Sequence, residues 1–164
     1  MPTSLAPVVD DNTRVLVLGS MPGRVSLEMQ QYYAHPRNAF WRIMSELVGF
    51  DVNLDYSTRL EALRAARIGL WDVLRICDRT GSLDSAIAPD SMEPNDFESL
   101  LSEYPGIDRV FLNGAKAEQV FTRLVTPRLS SPMVFRRLPS TSPANAGVPY
   151  DDKRRAWRAV VDVS

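Results

Sequence analysis

The sequence predicts an α/β fold: a short parallel sheet of four strands covered on both faces by helices. Three observations predict it. Four short apolar runs, at residues 14–18, 69–74, 109–112 and 133–138, are rich in Val, Leu, Ile and Phe, as strands buried on both faces read. Segments with apolar residues at helical spacing lie between them. Three of the runs empty into glycine-rich or polar stretches, Gly19-Ser20-Met21-Pro22-Gly23, Asn113-Gly114 and residues 139–147, and the remaining run carries Asp72 inside it. Ligands of open α/β sheets bind beyond the carboxyl ends of the strands, so this convergence marks a candidate active site.

Taken in order, residues 1–12 read as an arm before the first strand at 14–18. The turn at 19–23 has two glycines and a proline, where backbone can approach a ligand closely. Residues 20–37 form a long irregular loop with a helical turn near 27–31, and loops of that length in compact domains are usually functional. A helix over 38–48 carries Phe40, Trp41, Met44 and Leu47 on its apolar side, with Gly49 to close it. Ser57 or Thr58 caps a second helix running to Ala66. The second strand is 69–74, and 77–95 is polar and turn-rich, with Arg79-Thr80-Gly81-Ser82 within it. Asn95 or Asp96 caps a helix bearing Phe97, Leu100 and Leu101. After the strand at 109–112, a helix buries Ala117, Val120, Phe121 and Leu124; after that at 133–138, a helix from Asp151 turns Ala156, Trp157, Val160 and Val161 inward.

The totals narrow the function classes. A chain of 164 residues that is 45% hydrophobic fits one domain spanning 1–164. A formal net charge of −1 counts against a protein that binds nucleic acid through overall basicity, although Lys153, Arg154, Arg155 and Arg158 form a basic cluster. With one cysteine, Cys77, an intramolecular disulfide and a Cys-ligated iron–sulfur or structural zinc site are excluded. The start, MPTSLAPVVDD, lacks a secretory pattern and no apolar run reaches membrane-spanning length. A soluble cytoplasmic protein with no membrane partner is the expectation.

Four blocks of residues carry a resemblance: Gly19-Ser20-Met21-Pro22-Gly23; Tyr32-Tyr33-Ala34-His35-Pro36-Arg37-Asn38-Ala39-Phe40-Trp41; Phe111-Leu112-Asn113-Gly114; and Leu138-Pro139-Ser140-Thr141-Ser142-Pro143-Ala144-Asn145. In this order they resemble the uracil-DNA glycosylase superfamily, and more narrowly its hypoxanthine (deoxyinosine) DNA glycosylase branch. The resemblance implies a three-layer α/β/α fold and a monomer that acts on DNA containing deaminated bases, hypoxanthine first, with xanthine or uracil beside it. It implies that the damaged base is flipped out of the stack, as a base inside a duplex is out of reach. Water then cuts the N-glycosidic bond to leave an abasic site. The resemblance implies no metal and no cofactor, because nearby phosphates stabilise the positive charge developing on the sugar.

The resemblance also assigns roles. Tyr33 stands where the family stacks an aromatic on the flipped base; Gly19, Ser20 and Met21 line the base site. Relatives place Asp or Asn at the position of Met21 to orient the attacking water. A thioether is only a weak acceptor, so Asn38 becomes the replacement candidate. Asp72 aligns with a base-reading Asn and would accept from a purine lactam N–H. Asn113 ends its strand where it could bond the base and share in catalysis. Pro139, Ser140, Thr141, Ser142, Ala144 and Asn145 correspond to the loop that pinches DNA phosphates, with Ala144 a weak wedge where relatives insert leucine and Leu138 in place of the histidine of the uracil-specific branch.

Each residue also has a plainer reading. One of the adjacent Tyr32 and Tyr33 belongs to the core. His35 before a proline is a structural hydrogen-bonder. Asn38 caps its helix, Asn113-Gly114 is a turn, and the 153–158 cluster is a solvated helix face. Two functions from other classes stand beside the glycosylase: a catalytically silent nucleic-acid-binding module of this fold, and a small-molecule nucleotide-binding α/β protein.

Overall fold

The computed structural model describes residues 4–76, 87–88 and 91–162. Cys77 and the Arg79-Thr80-Gly81-Ser82 turn lie outside the described residues. Strand β1 (Val15–Gly19) leads through α1 (Arg24–Met29), α2 (Phe40–Met44) and α3 (Tyr56–Ala65) to β2 (Ile68–Asp72). A small ribbon of β3 (Leu74–Ile76) and β4 (Glu93–Pro94) precedes α4 (Phe97–Glu103). Then come β5 (Arg109–Asn113), α5 (Ala115–Val120), β6 (Val134–Leu138) and α6 (Tyr150–Trp157). The main sheet is four-stranded in the order β2-β1-β5-β6, all neighbours parallel.

Alternation along the strands divides the core in two. Val15, Val17, Ile68, Leu70 and Phe111 face one apolar cluster with α2, α3 and α6; Leu16, Leu18, Trp71, Val110 and Leu112 face the other, with α4 and α5. Both faces of β1 are therefore buried, as its unbroken apolar run predicts. In the first cluster Phe40 meets Trp157 edge to face with ring centroids 5.8 Å apart, a geometry that contributes ~0.5–1.5 kcal/mol beyond burial. The arm is less free than the sequence suggests. Val8 and Leu70 exchange backbone hydrogen bonds of 2.8 and 3.0 Å, and Leu5 and Val8 are buried, so the arm covers the outer edge of β2.

Several boundaries move for local reasons. The second strand ends at Asp72 rather than running to 74, because Val73 and Leu74 donate their N–H groups to the carbonyls of Gly19 and Ser20 and turn the chain out of the sheet. Helix α3 is capped by Asp55, whose carboxylate accepts from Thr58 N at 2.9 Å, not by Ser57 or Thr58. Asp96, not Asn95, caps α4. Helix α2 begins two residues after Asn38, continues as a π-helical turn over Ser45–Gly49, and ends at Gly49 with φ +97°. Helix α5 widens in the same way over Phe121–Val125. No helix among the described residues is long and apolar enough to cross a membrane.

Candidate active site

Parallel pairing sets Gly19 opposite Asp72 at the carboxyl ends of β1 and β2. Asp72 is 3% exposed, and Gly19 is what admits it: a Cβ on residue 19 would lie 2.6 Å from Asp72 Oδ1 and 3.4 Å from the Tyr33 hydroxyl. Three groups predicted to meet the base, Gly19, Asp72 and Tyr33, thus converge on one spot. Behind them stands a residue that sequence reasoning placed only as a possible cap. Asn95, 7% exposed, donates from Nδ2 to the Asp72 carbonyl at 2.8 Å and from its backbone N–H to Val73 O at 2.8 Å. A polar residue just before a helix looks like a cap in sequence; only the returning chain of β4 reveals it as a brace.

The adjacent tyrosines divide as their adjacency predicts. Tyr32 is core: its hydroxyl donates to Ala6 O at 2.7 Å and its carbonyl accepts from Trp41 Nε1 at 2.9 Å. Burial, and secondarily the Asp72 charge, push its phenol far above the usual range. Tyr33 has φ +55°, a left-handed conformation that costs a bulky residue of order 1–3 kcal/mol and is concentrated at functional sites. One face of its ring stacks on Phe40 at 4.1 Å and 23°. The Ser26 hydroxyl holds the next residue in place, accepting from Ala34 N at 3.1 Å.

The turn between Tyr33 and α2 is self-bonded. His35 Nδ1 accepts from Arg37 N at 3.1 Å and its carbonyl from Asn38 N at 2.9 Å, which is the structural reading of His35. Asn38 Oδ1 accepts from Phe40 N at 2.9 Å, so the residue does brace the start of α2. That bond uses one lone pair of the amide oxygen and leaves the other. Met21 is 6% exposed and packs in the apolar cluster with Leu18 and Trp71, so its side chain belongs to the core.

Thr141, 1% exposed, joins the remaining pieces. Its Oγ1 accepts from Asn113 Nδ2 at 2.9 Å, its N–H donates to Asn113 Oδ1 at 3.0 Å, and its carbonyl accepts from Ala39 N at 3.0 Å. Both polar atoms of Asn113 are thus engaged in holding the 139–145 loop, a positioning role the sequence did not suggest. Gly114, with φ +101°, lets the loop pass close: a Cβ there would stand 3.0 Å from Ser140 Cβ. Within the loop the serine oxygens accept from the chain, Ser140 Oγ from Ser142 N and Ser142 Oγ from Ala144 N, each at 3.2 Å. Asn145 Nδ2 donates to Ser140 O at 3.1 Å, and Trp157 Nε1 to Pro139 O at 2.8 Å. Both serine hydroxyls accept in these bonds and so keep their protons, while Ala144 is exposed. Among the described residues no cluster of three or more His, Cys, Asp or Glu is placed to hold a metal.

Glycine, carboxylate, aromatic and serine-loop groups thus gather at the carboxyl ends of a parallel sheet, where α/β proteins of this architecture bind their ligands. The sequence model of the uracil DNA glycosylase superfamily matches residues 6–161, and the chain belongs to that superfamily. Two relatives are named hypoxanthine DNA glycosylase. One, from Methanosarcina barkeri, is 44% identical over 112 residues, covering 68% of this chain and 70% of the relative. The other, from Methanosarcina acetivorans, is 36% identical over 154 residues, 93% of each. A solution NMR structure from Methanosarcina acetivorans, described as a candidate uracil DNA glycosylase, superposes with a TM-score of 0.80 at 34% identity, covering 97% of this chain and 95% of that one. The three-layer α/β/α arrangement is common to both.

Proposed function

We propose that the protein is a monofunctional DNA glycosylase that removes hypoxanthine from deoxyinosine. The observation that carries the reading is the meeting of Asp72 Oδ1 and the Tyr33 hydroxyl over Gly19. The names of the relatives support the same substrate.

The flipped base lies against the ring of Tyr33, whose far face is already backed by Phe40; stacking of this kind is worth ~1–3 kcal/mol per base. Asp72 accepts the N1–H that hypoxanthine carries and adenine lacks. Ser140 and Ser142 donate to backbone phosphates on either side, which fixes the register without reading sequence. The C1′–N9 bond then breaks with its electron pair leaving on the base. Water adds its oxygen to C1′, and the proton it loses neutralises the departing base. Asn38 holds that water through the lone pair its helix cap leaves unused. An amide cannot deprotonate water, so its contribution is orientation, which suits a cleavage in which the glycosidic bond is largely broken before the water attacks. Asn113 acts through Thr141, keeping the serine loop at the right distance from α2. The chain works as a monomer in this reading.

The test is single-turnover cleavage of fluorescent oligonucleotides carrying one inosine, xanthine or uracil, read as strand breaks after alkali. Inosine should be cut fastest. Asn38→Ala should keep the fold and lesion binding while losing on the order of a hundredfold or more in rate. Asn38→Asp should keep part of the rate. Full-rate cleavage by Asn38→Ala with a lowered melting temperature would leave Asn38 a helix cap only; binding of inosine DNA without any breaks would make the protein a silent binder.

A further inference from the structure

The amino ends of β5 and β6 carry a second concentration of chemistry that the candidate site does not use. A cavity of ≈ 420 Å³ opens there between the sheet and the end of α6. Arg109 of β5, Val134 and Arg136 of β6, Arg155 and Arg158 from α6 and the turn after it, and Asp162 line it. Arg155 is held by Asp152 at 2.5 Å. Arg109, Arg136 and Arg158 make no ion pair among the described residues, and Asp162 is the one acid among the lining residues. Strand β6 ends the sheet, so its outer backbone edge faces no further strand among the described residues. Beside it Val134 is 68% exposed and Phe135 37%.

We propose that this corner is a docking site for an acidic, extended segment of a partner protein, which pairs along the free edge of β6 and sets its carboxylates among the arginines. A charged edge strand alone is the ordinary protection against aggregation. Protection, however, requires charges only on the edge. Here guanidinium groups from β5, β6 and the end of α6 converge on one cavity. Added strands draw affinity from main-chain hydrogen bonds and specificity from pockets for alternate side chains. A free edge, an arginine-lined cavity and exposed Val134 and Phe135 supply both. A nucleic-acid backbone would use the arginines but neither the edge amides nor the exposed Val134 beside them. The place also suits a partner. Five-residue strands span roughly 13–17 Å, so the arginine-lined end of the docked segment lies a strand's length away from DNA at the carboxyl ends.

The probe is a fluorescein-labelled ten-residue peptide alternating Glu or Asp with Ile or Phe, followed by anisotropy on the full chain, with the Lys-substituted peptide and a lesion-free single-stranded oligonucleotide as the other arms. The acidic peptide should bind, and binding should weaken at least tenfold in the double variant Arg136→Glu, Arg158→Glu. Inosine cleavage should stay unchanged in that variant. Backbone amide shifts of residues 134–137 should move on titration. If the charge reversal lowers the melting temperature, Arg136→Gln with Arg158→Gln is used, and a threefold or greater loss of peptide affinity is required. No binding of the acidic peptide, equal binding by the double variant, amide shifts confined to the 139–145 loop, or displacement of the peptide by the lesion-free oligonucleotide would each overturn the proposal; the last would make the corner a nucleic-acid site.

Discussion

Gly19 shows how one residue can decide a site. The strand conformation there needs no glycine; the neighbour does, because a methyl group would press to 2.6 Å from Asp72 Oδ1. Gly19→Ala must therefore move the carboxylate, at an overpacking cost of ~1–3 kcal/mol. We expect a lower melting temperature and a loss of inosine cleavage larger than the loss of DNA binding; an unchanged cleavage rate would mean Asp72 can shift without consequence. Asp72→Asn tests the reading role itself. It keeps the shape and removes the charge, so the ratio of inosine to uracil cleavage should change, and an unaltered ratio would leave Asp72 structural. At this scale the sequence was partly legible. It singled out Gly19 and Asp72, because a buried carboxylate and a glycine turn are abnormal for a strand end, and the family resemblance added Tyr33; the three do come together. It placed Thr141 in the phosphate-pinching loop and Asn95 as a possible cap but missed the buried clamp of the one and the brace of the other, since a small polar residue in a polar loop carries no such signal until its partners arrive from 28 or 23 positions away.

Among the elements, the loop after β6 is held by its neighbours as much as by itself. Thr141→Val removes the acceptor of Asn113 Nδ2 in a place where Asn113 is 8% exposed. An unsatisfied buried donor costs ~1–3 kcal/mol. Thermal denaturation should show that loss in Thr141→Val and in Asn113→Ala, and the double variant should fall short of their sum, because the two share one pair of bonds. Full additivity would mean that the clamp contributes nothing. Replacing Ser140 and Ser142 together by Ala should weaken binding to about the same degree for every lesion; a loss confined to one base would make the loop a reader of bases. Helix α6 is tied to α2 by the Tyr150 hydroxyl, which donates to Glu46 Oε2 at 2.7 Å. Burial and that bond raise its pKa to about 12. The folded state therefore keeps a proton that the unfolded chain releases near pH ~10, so this contribution is full below pH ~10 and is lost as the pH rises through about 12. Tyr150→Phe should flatten the alkaline fall in stability across that window, and an equally steep fall would assign it to other groups. Element types were legible from apolar periodicity; boundaries failed where tertiary bonds decided them, as at Asp72, where carbonyls of the neighbouring strand turn the chain.

Over the described part of the molecule, the arginine-lined cavity lies apart from the candidate site. The net charge is −1. The arginine-lined cavity lies at the amino ends of the strands, while two of the loops at the carboxyl ends, those after β1 and β6, carry little charge. Residues 139–147 contain no Lys or Arg, and residues 19–38 contain only Arg24 and Arg37. Arg24 lies 3.8 Å from Glu28. Under the proposed reading, phosphate contacts from these two loops come largely from hydroxyls and backbone N–H groups, which position DNA without releasing counterions as cations do. This separation was legible in the sequence only in part. The near-neutral total and the uncharged serine loop are visible there, but the basic cluster at 153–158 reads as one solvated helix face until the fold distributes it. Arg154 pairs with Glu46 and Asp151, and Arg155 and Arg158 face the cavity. Lys153 is 5% exposed, and burial lowers its pKa. The consequence is measurable. If one to three cations neutralise phosphates, the slope of log affinity against log salt for duplex DNA should lie between about −1 and −3, since each contributes roughly −0.9. Titrations of inosine-containing duplex from low to moderate salt, with the catalytically impaired Asn38→Ala, give that slope directly. A value near −6 would require a cationic DNA face, and the arginines at the amino ends would be the first candidates, since reversing Arg136 and Arg158 would then make the slope shallower. An unchanged slope in that variant, together with a value in the shallow range, would fit a glycosylase that holds DNA at the carboxyl-end loops and keeps the arginines at the amino ends for another partner.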